Sequence, residues 1–392
     1  MAAATNRLSL RFVKETTFGI TPAATQTNVR FSGESLKQDT STASSTEIQS
    51  DRQIPGIVRS AVGASGDINY ELYMGGSLET LMTEGAMQSG AVTAAATDSS
   101  TTSSIDVTAI NGRFSAATGN PFISGYSIGD WVKVTGFSNA GNNGYFRIIQ
   151  QTGSQLTFGA DASTFVDETD ASGHGLLRGA YYSNGTTQNS YSIEKEWGDL
   201  ASTFSLTKGC VIDGQSLTVP ADGIITGSIS LLGKQSASTT SSADSGTHGT
   251  AGSGAVLSGI DNIIAFSENG TQMTITGFNF TMTNNLRQRN EVGSAFAVSV
   301  GAGSLGVTGS FQAYFAAGTP VSVIDRYLAG TNSSISCVFT DGTNQVAIDF
   351  PRVRLTSGQR VAGGQNQDVI LEVGFEAFKN ETSGHTMRYT KW

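Results

Sequence analysis

Apolar and polar residues alternate with a period of two along almost the whole chain, and this alternation predicts short, half-buried strands. Residues 7–14 (RLSLRFVK) place Leu8, Leu10 and Phe12 on one face. Residues 66–74 (GDINYELYM) set Ile68, Tyr70 and Leu72 against Asp67, Asn69 and Glu71. Similar runs lie at 29–37, 190–196, 203–207, 210–219 and 223–232, then at 273–283, 295–300, 306–315, 333–340, 345–350, 352–356 and 368–377. Helical spacing replaces the alternation in two places. Leu78, Leu81 and Met82 follow a capping Ser77, and residues 320–329 (PVSVIDRYLA) open on Pro at the favoured first position. Residues 38–60 are polar and poor in core formers, the pattern of a long loop. Residues 90–104 and 234–254 are rich in Ala, Thr, Ser and Gly and read as flexible linkers. The block that follows the first of these has Gly- and Asn-marked strands at 129–137, 142–149 and 155–158, which predict a small β-barrel or sandwich.

The two ends of the chain repeat one another. At a spacing of 243, Gly63 meets Gly306, Gly66 meets Gly309, Ile68 meets Phe311, Leu72 meets Phe315 and Gly75 meets Gly318. Leu78 and Leu81 meet Val321 and Ile324 on the two helices, and upstream Gly33 meets Gly277. The order of strand, long polar stretch, Gly-marked strand, helix and further strands therefore occurs twice, which argues for an internal duplication. The block between about 90 and 182 interrupts the first copy alone.

Composition narrows the function. The 392 residues include 48 Gly and 20 Phe but 6 Pro and 2 Cys, and 14% are charged. Such a chain builds lean cores from many turns and short strands. A formal charge of −9 disfavours a surface that grips nucleic acid, because grip comes from Lys and Arg on phosphate. Two cysteines make neither a disulfide framework nor a zinc cluster. With no leader-like N-terminus and no long apolar run, the expectation is a soluble chain made in a reducing cytoplasm.

Catalytic chemistry is hard to place. Residues 301–306 (GAGSLG) match a dinucleotide fingerprint, but a strand pattern follows where a helix is required, so the segment reads as a turn between strands. Glu194 and Glu196 share a strand face and read as solvated. His174, His248 and His385 each adjoin Gly and read as surface loop residues. Cys210 and Cys337 read as small hydrophobes, and Trp131 as core. No catalytic residue, cofactor or metal site is expected.

Several stretches resemble a known family. Residues 12–19 (FVKETTFG), 50–56 (SDRQIPG), 66–72 (GDINYEL), 191–196 (YSIEKE), 209–213 (GCVID) and 223–228 (GIITGS) are similar to tail tube proteins of bacteriophages with long non-contractile tails. The resemblance covers 7–89 and 189–234, and extends more weakly over the second copy. It implies a mainly β fold: two tandem tube-type β-sandwiches, each with one short helix, and an inserted decoration domain. The expected domains are 1–92 with 183–235, the insert 93–182, a linker 236–258 and a second tube domain 259–392. It also implies a structural virion protein, assembled in the bacterial host cytoplasm, whose rings stack into the conduit for DNA ejection.

The chain is then its own partner, in homotrimeric, pseudo-sixfold rings, with a homohexamer as the alternative. Other tail proteins are partners too, duplex DNA is transiting cargo, and no membrane is involved. The polar stretches 37–60 and 284–300 are expected to be arms between rings, carrying Lys37, Thr40, Ser50, Arg52, Ile54 and Pro55 in one and Asn284, Arg287 and Arg289 in the other. Asp67, Asn69 and Glu71 are expected to face the lumen. Rival readings are a carbohydrate-binding surface or adhesion protein, a tail terminator and a baseplate hub.

Overall fold

The computed structural model describes residues 3–98, 104–122, 125–159, 164–171, 173–244, 246–315, 318–362 and 364–392. The first segment forms β1 (Leu8–Lys14), β2 (Thr27–Val29), β3 (Gly33–Glu34), β4 (Lys37–Ser44), β5 (Ile57–Glu71) and α1 (Gly76–Thr80), which widens into a π-helical turn (Leu81–Ala86). The inserted block holds β6 (Ala95–Asp98), β7 (Ile105–Thr108), β8 (Arg113–Ala116), β9 (Trp131–Thr135), β10 (Gly144–Gln151), β11 (Gln155–Phe158), β12 (Glu168–Ala171) and β13 (Gly175–Arg178). The chain returns through β14 (Ala180–Ser183), β15 (Tyr191–Trp197), β16 (Phe204–Pro220), β17 (Thr226–Gly233) and β18 (Gln235–Thr239). The last part contains β19 (Ile263–Glu268), β20 (Thr271–Gln272), β21 (Gly277–Thr283), β22 (Arg287–Arg289), β23 (Ser299–Gly301) and β24 (Gly306–Tyr314). It ends with α2 (Thr319–Ala329), β25 (Asn332–Thr340), β26 (Gln345–Ala362), β27 (Val369–Ala377) and β28 (Arg388–Lys391). The protein is mainly β.

Strand order repeats register for register. One series runs β2-β1-β15-β16-β17-β5-β3/β4, and the other β20-β19-β25-β26-β27-β24-β21. Glu34 lies opposite Ile68 as Phe278 lies opposite Phe311. Even the irregularities agree: β16 shifts register between Ile212 and Gly214 against β17, and β26 shifts between Leu355 and Ser357 against β27. Before each helix a glycine takes positive φ, Gly75 at 75° and Gly318 at 94°, a conformation that a side chain disfavours.

The long strands β16 and β26 each serve two sheets. The first half of β16 pairs with β15 and β18, and the second half with β17 and β21. The sequence pattern breaks each of these strands in two, at Lys208-Gly209 and at Pro351, whereas the backbone runs on through both places and is bulged instead at Asp213 and at Thr356. The second halves complete one continuous sheet, β4-β5-β17-β16-β21-β24-β27-β26. Apolar side chains from this sheet meet those of the outer strands in a single core, where Phe278, Phe280, Phe311, Phe350 and Phe375 are all at most 1% exposed. The two helices close it with Leu78, Leu81 and Met82 and with Val323 and Ile324.

In the inserted block, β10 is shared by the sheets β10-β9-β13-β6 and β10-β11-β8-β7-β12 around a core of Phe114, Phe137, Phe146, Phe158 and Phe165. The block is docked firmly on the last part of the chain. Trp131 packs with Val338 and Ala347, which project from β25 and β26 away from the main core. Arg388 bonds Asp130 at 2.6 Å and Arg147 lies 3.3 Å from Asp349, all largely out of solvent. The insert therefore lies on the side of the sandwich opposite the continuous sheet.

Three sequence expectations change. Glu194 is fully buried, not solvated: Arg11 lies at 3.3 Å, and Ser242 Oγ and the Ala243 N–H each donate to it at 2.6 Å. The supposed flexible linker is therefore tied down. β18 joins β16, Tyr73 and Ser77 hydroxyls bond Ala251 O, and Leu257 is fully buried. His174 and His385 are buried too, at 1% and 3% exposure. Residues 99–103 of the first expected linker lie outside the described residues.

His385 reports on the docked insert. Burial, then the Arg388 and Arg147 guanidiniums, lower its pKa from 6.5 to about 4, although its Nδ1 contacts Ser383 O at 2.7 Å. The unfolded chain thus binds this proton more readily than the folded one. Its contribution is complete above pH 6.5 and is lost as pH falls toward 4, by about 3 kcal/mol in all. Chemical unfolding between pH 7 and 4 is expected to show this loss, and His385→Gln to flatten it.

Candidate assembly surfaces

Each strand of the continuous sheet turns apolar residues to the core, so its other face is polar by necessity. Asp67 and Asn69 are exposed there, with Glu71 partly so. Beside them stand Thr226 on β17, Thr281 on β21, Thr308 and Gln312 on β24, and Glu372 and Glu376 on β27. Asp39, Asp67, Glu71, Glu372 and Glu376 outnumber the cations Lys37 and Arg354 on this face. Lys37 is already engaged, 3.5 Å from Asp39, while Gln312 and Gln359 donate to Glu372. Among the described residues the face is acidic and amide- and hydroxyl-rich, and Tyr314 is its exposed aromatic.

The sheet has two ends. One is the outer edge of β3 and β4, and the other is the C-terminal half of β26 beyond its contact with β25. Among the described residues neither has a strand partner on its outer side. Between them lies an internal junction, β16 against β21, in which Gly214 faces Thr283 and Pro220 faces Gly277.

The two arms are the same hairpin in different postures. Ala43 faces Val58 in the first, and at the equivalent place Arg287 faces Gly301 in the second. The first arm continues from β4 and β5, past a register shift between Ser41 and Thr42, into solvent, carrying Thr40, Ser50, Arg52, Ile54 and Pro55. Its apolar residues are bare: Ile48 is 100% exposed, Ile54 66%, Ile57 65% and Val58 65%. The second arm bends at Asn285, where φ is 49°, and folds onto the first copy. Ala295 O accepts the Val62 N–H at 2.8 Å, and Gln288 donates to Gly233 O at 2.8 Å. Asn284, only 7% exposed, donates to Ala86 O and Ile212 O. Arg287 and Arg289 remain exposed. Sequence reasoning had no means to separate the two arms, and it missed Asp213. This bulge residue accepts the Asn284 N–H on its carbonyl and the Leu286 N–H on its carboxylate, at 2.8 Å.

Cys210 and Cys337 are free and fully buried, and burial raises both thiols well above their ordinary range. Among the described residues no group of His, Cys, Asp and Glu is arranged to hold a metal, and no helix is long and apolar enough to cross a membrane.

A family model described as "Phage tail tube protein" matches residues 5–377. No curated protein matches the chain.

The second arm's attachment is testable. Asp213→Ala removes a charged acceptor from Leu286, an effect of roughly 1.5–3 kcal/mol. The Leu286 amide is expected to exchange its hydrogen about 10- to 100-fold faster, with residues 287–301 loosening alongside it. Unchanged exchange rejects the anchor.

Proposed function

The chain belongs to the phage tail tube protein family, and from that premise we propose that three copies close into a ring whose stacks form the conduit for DNA ejection. It is a structural component of the phage tail. The observation that carries the ring reading is the internal junction. One chain already contains two equivalent units joined edge to edge, with a free edge at each end. Repeating that joint between chains continues the sheet, and closed heterologous contacts make a ring. Three two-unit chains supply the six units that the resemblance implies.

In this reading the domains are 1–92 with 183–235, the insert 93–182, the connection 236–258 and the second tube domain 259–392. The continuous sheet lines the lumen, so Asp67, Asn69 and Glu71 face the passing duplex. Carboxylates repel phosphate, and a wall without a surplus of Lys or Arg offers little for DNA to hold. The insert, on the opposite side of the sandwich, decorates the exterior. The first arm makes the contact between rings, with its exposed isoleucines as the apolar anchor. The second arm, with Asn284, straps the two units of one chain together. Assembly takes place in the bacterial host cytoplasm.

Negative-stain microscopy and mass measurement of assembled protein test the ring. Three chains per ring are expected; six chains, or no ring, reject the reading. Replacing residues 45–56 by Asn-Gly is expected to leave rings that no longer stack, and normal tubes from that variant remove the role given to the arm. The double variant Asp67→Lys, Glu71→Lys is expected to assemble yet slow genome ejection. Unchanged ejection takes these residues out of the lumen.

A further inference from the structure

We propose that the outer edge of β3 and β4 docks β26 of a second copy in the register of the internal junction, and that the Lys195–Glu34 ion pair closes this edge in the free chain. The inference rests on the ring reading and specifies its contact.

Register follows from the repeat. Gly214 faces Thr283 at the internal junction, and Leu217 faces Phe280. The equivalents of Gly214 and Leu217 in the second copy are Ser357 and Arg360, fixed by their pairing to β27. The equivalents of Thr283 and Phe280 in the first copy are Asp39 and Leu36, fixed by their position along β5. Between chains, Ser357 then faces Asp39, Gln359 faces Lys37 and Arg360 faces Leu36.

At Leu36 the edge is already occupied. The Ser35 N–H bonds Asp67 O at 3.0 Å, so Ser35 is turned to β5 and the backbone groups of Leu36 point outward. The Leu36 N–H donates to Glu34 Oε2 at 2.8 Å, and Lys195 Nζ donates to Leu36 O at 2.8 Å. Lys195 also holds Glu34 at 2.9 Å. Two side chains thus satisfy the donor and the acceptor that a neighbouring strand would use. Leu36 is 5% exposed, so water is a poor substitute.

The internal junction lacks this device. Phe278 stands where Glu34 does and Cys337 where Lys195 does, each at most 1% exposed, and Phe280 is paired to β16. The ion pair occurs at the open copy of the joint and is replaced by apolar side chains at the closed copy. Charged groups guarding an open edge are a known defence against indiscriminate strand pairing. Docking exchanges the side-chain bonds of Leu36 for backbone bonds. Arg360, whose guanidinium lies 5.1 Å above the Phe315 ring, arrives diagonal to Glu34, where a long side chain reaches the released carboxylate.

The test uses the full chain with Lys37→Cys and Gln359→Cys together. Cys210 and Cys337 are buried and do not compete. Under mild oxidation the expected product is a covalent ladder that stops at three chains, absent when Asp67→Cys replaces Lys37→Cys. Rings without the cross-link overturn the register and leave the ring reading standing; absence of rings under every condition overturns both. For the closure, Glu34→Leu with Lys195→Leu is expected to form rings at a protein concentration at least tenfold lower. Glu34→Gln, which keeps the volume, is expected to do so more modestly should the double variant fail to fold. A folded variant that assembles no more readily than the parent overturns the closure.

Discussion

Two bulges, one in β16 and one in β26, are the constraint on which the rest of the architecture depends. Without the extra residue, a strand of this length stays in one sheet, and its alternation keeps one face on the core throughout. With it, each strand leaves the outer layer, turns, and enters the inner one. The outer layers remain separate platforms, one of which carries the insert. The inner halves become members of a common sheet because each offers a second edge after the turn. In β16 that edge is filled by β21. In β26 it is not. The same local event thus builds the internal joint and leaves a copy of it open, and the bulge residue of β16, Asp213, also fastens the second arm.

Differences between the repeats fall where their surroundings differ. Core positions match in character, Ile68 with Phe311 and Leu81 with Ile324, although Val321, the counterpart of the buried Leu78, is 40% exposed. Edge positions do not. Glu34 is opposed by Phe278, Lys195 by Cys337, Asp213 by Thr356 and Asn284 by Thr40. Glu34, Lys195, Asp213 and Asn284 are each polar where their surroundings in the chain leave backbone groups to be satisfied. The arm that bends at Asn285 needs Asp213 and Asn284 because its start is buried; the first arm carries threonines and stays in water.

Legibility in the sequence follows the same division. Period-two alternation shows the strands, helical spacing shows both helices, and recurring glycines show the duplication, because these depend on local burial and backbone geometry. Residues 66–70 read correctly in alternation, with Ile68 and Tyr70 buried and Asp67 and Asn69 exposed; Glu71 is only partly exposed, and beyond it Leu72, Tyr73 and Met74 are all buried. Long-range satisfaction of polar groups is not legible. Nothing near Glu194 in sequence announces Arg11 and Ser242, which lie far off along the chain, so a carboxylate that ties down residues 242–243 reads as solvated. The stretch 234–254 lacks core residues and so reads as a linker, yet backbone hydrogen bonds to β2 and α1 fix it. His385 reads as a loop histidine because the insert that covers it, with Arg147, lies far off along the chain; Arg388 alone of the two arginines is a sequence neighbour. The arms share a composition and a register, and what separates them is a bend at Asn285 that pattern alone does not encode.

In the proposed ring, the open joint poses a problem that the closed one does not. A chain with two complementary edges can add partners without limit unless the geometry closes, and it can add the wrong ones before it closes. An inner sheet of eight strands per chain is long enough to twist appreciably, so a partner in the wrong register is carried away from closure with every strand. The internal joint sets the angle for each alternate contact, which halves the number of places where error enters. An ion pair at the remaining contact adds a requirement: the incoming strand must satisfy Leu36 through its backbone and bring a cation for Glu34. Arg360 meets the second condition in the register that also meets the first. Selectivity then resides in the exchange of partners at one residue pair, while the strength of the finished wall comes from strand pairing along the entire edge.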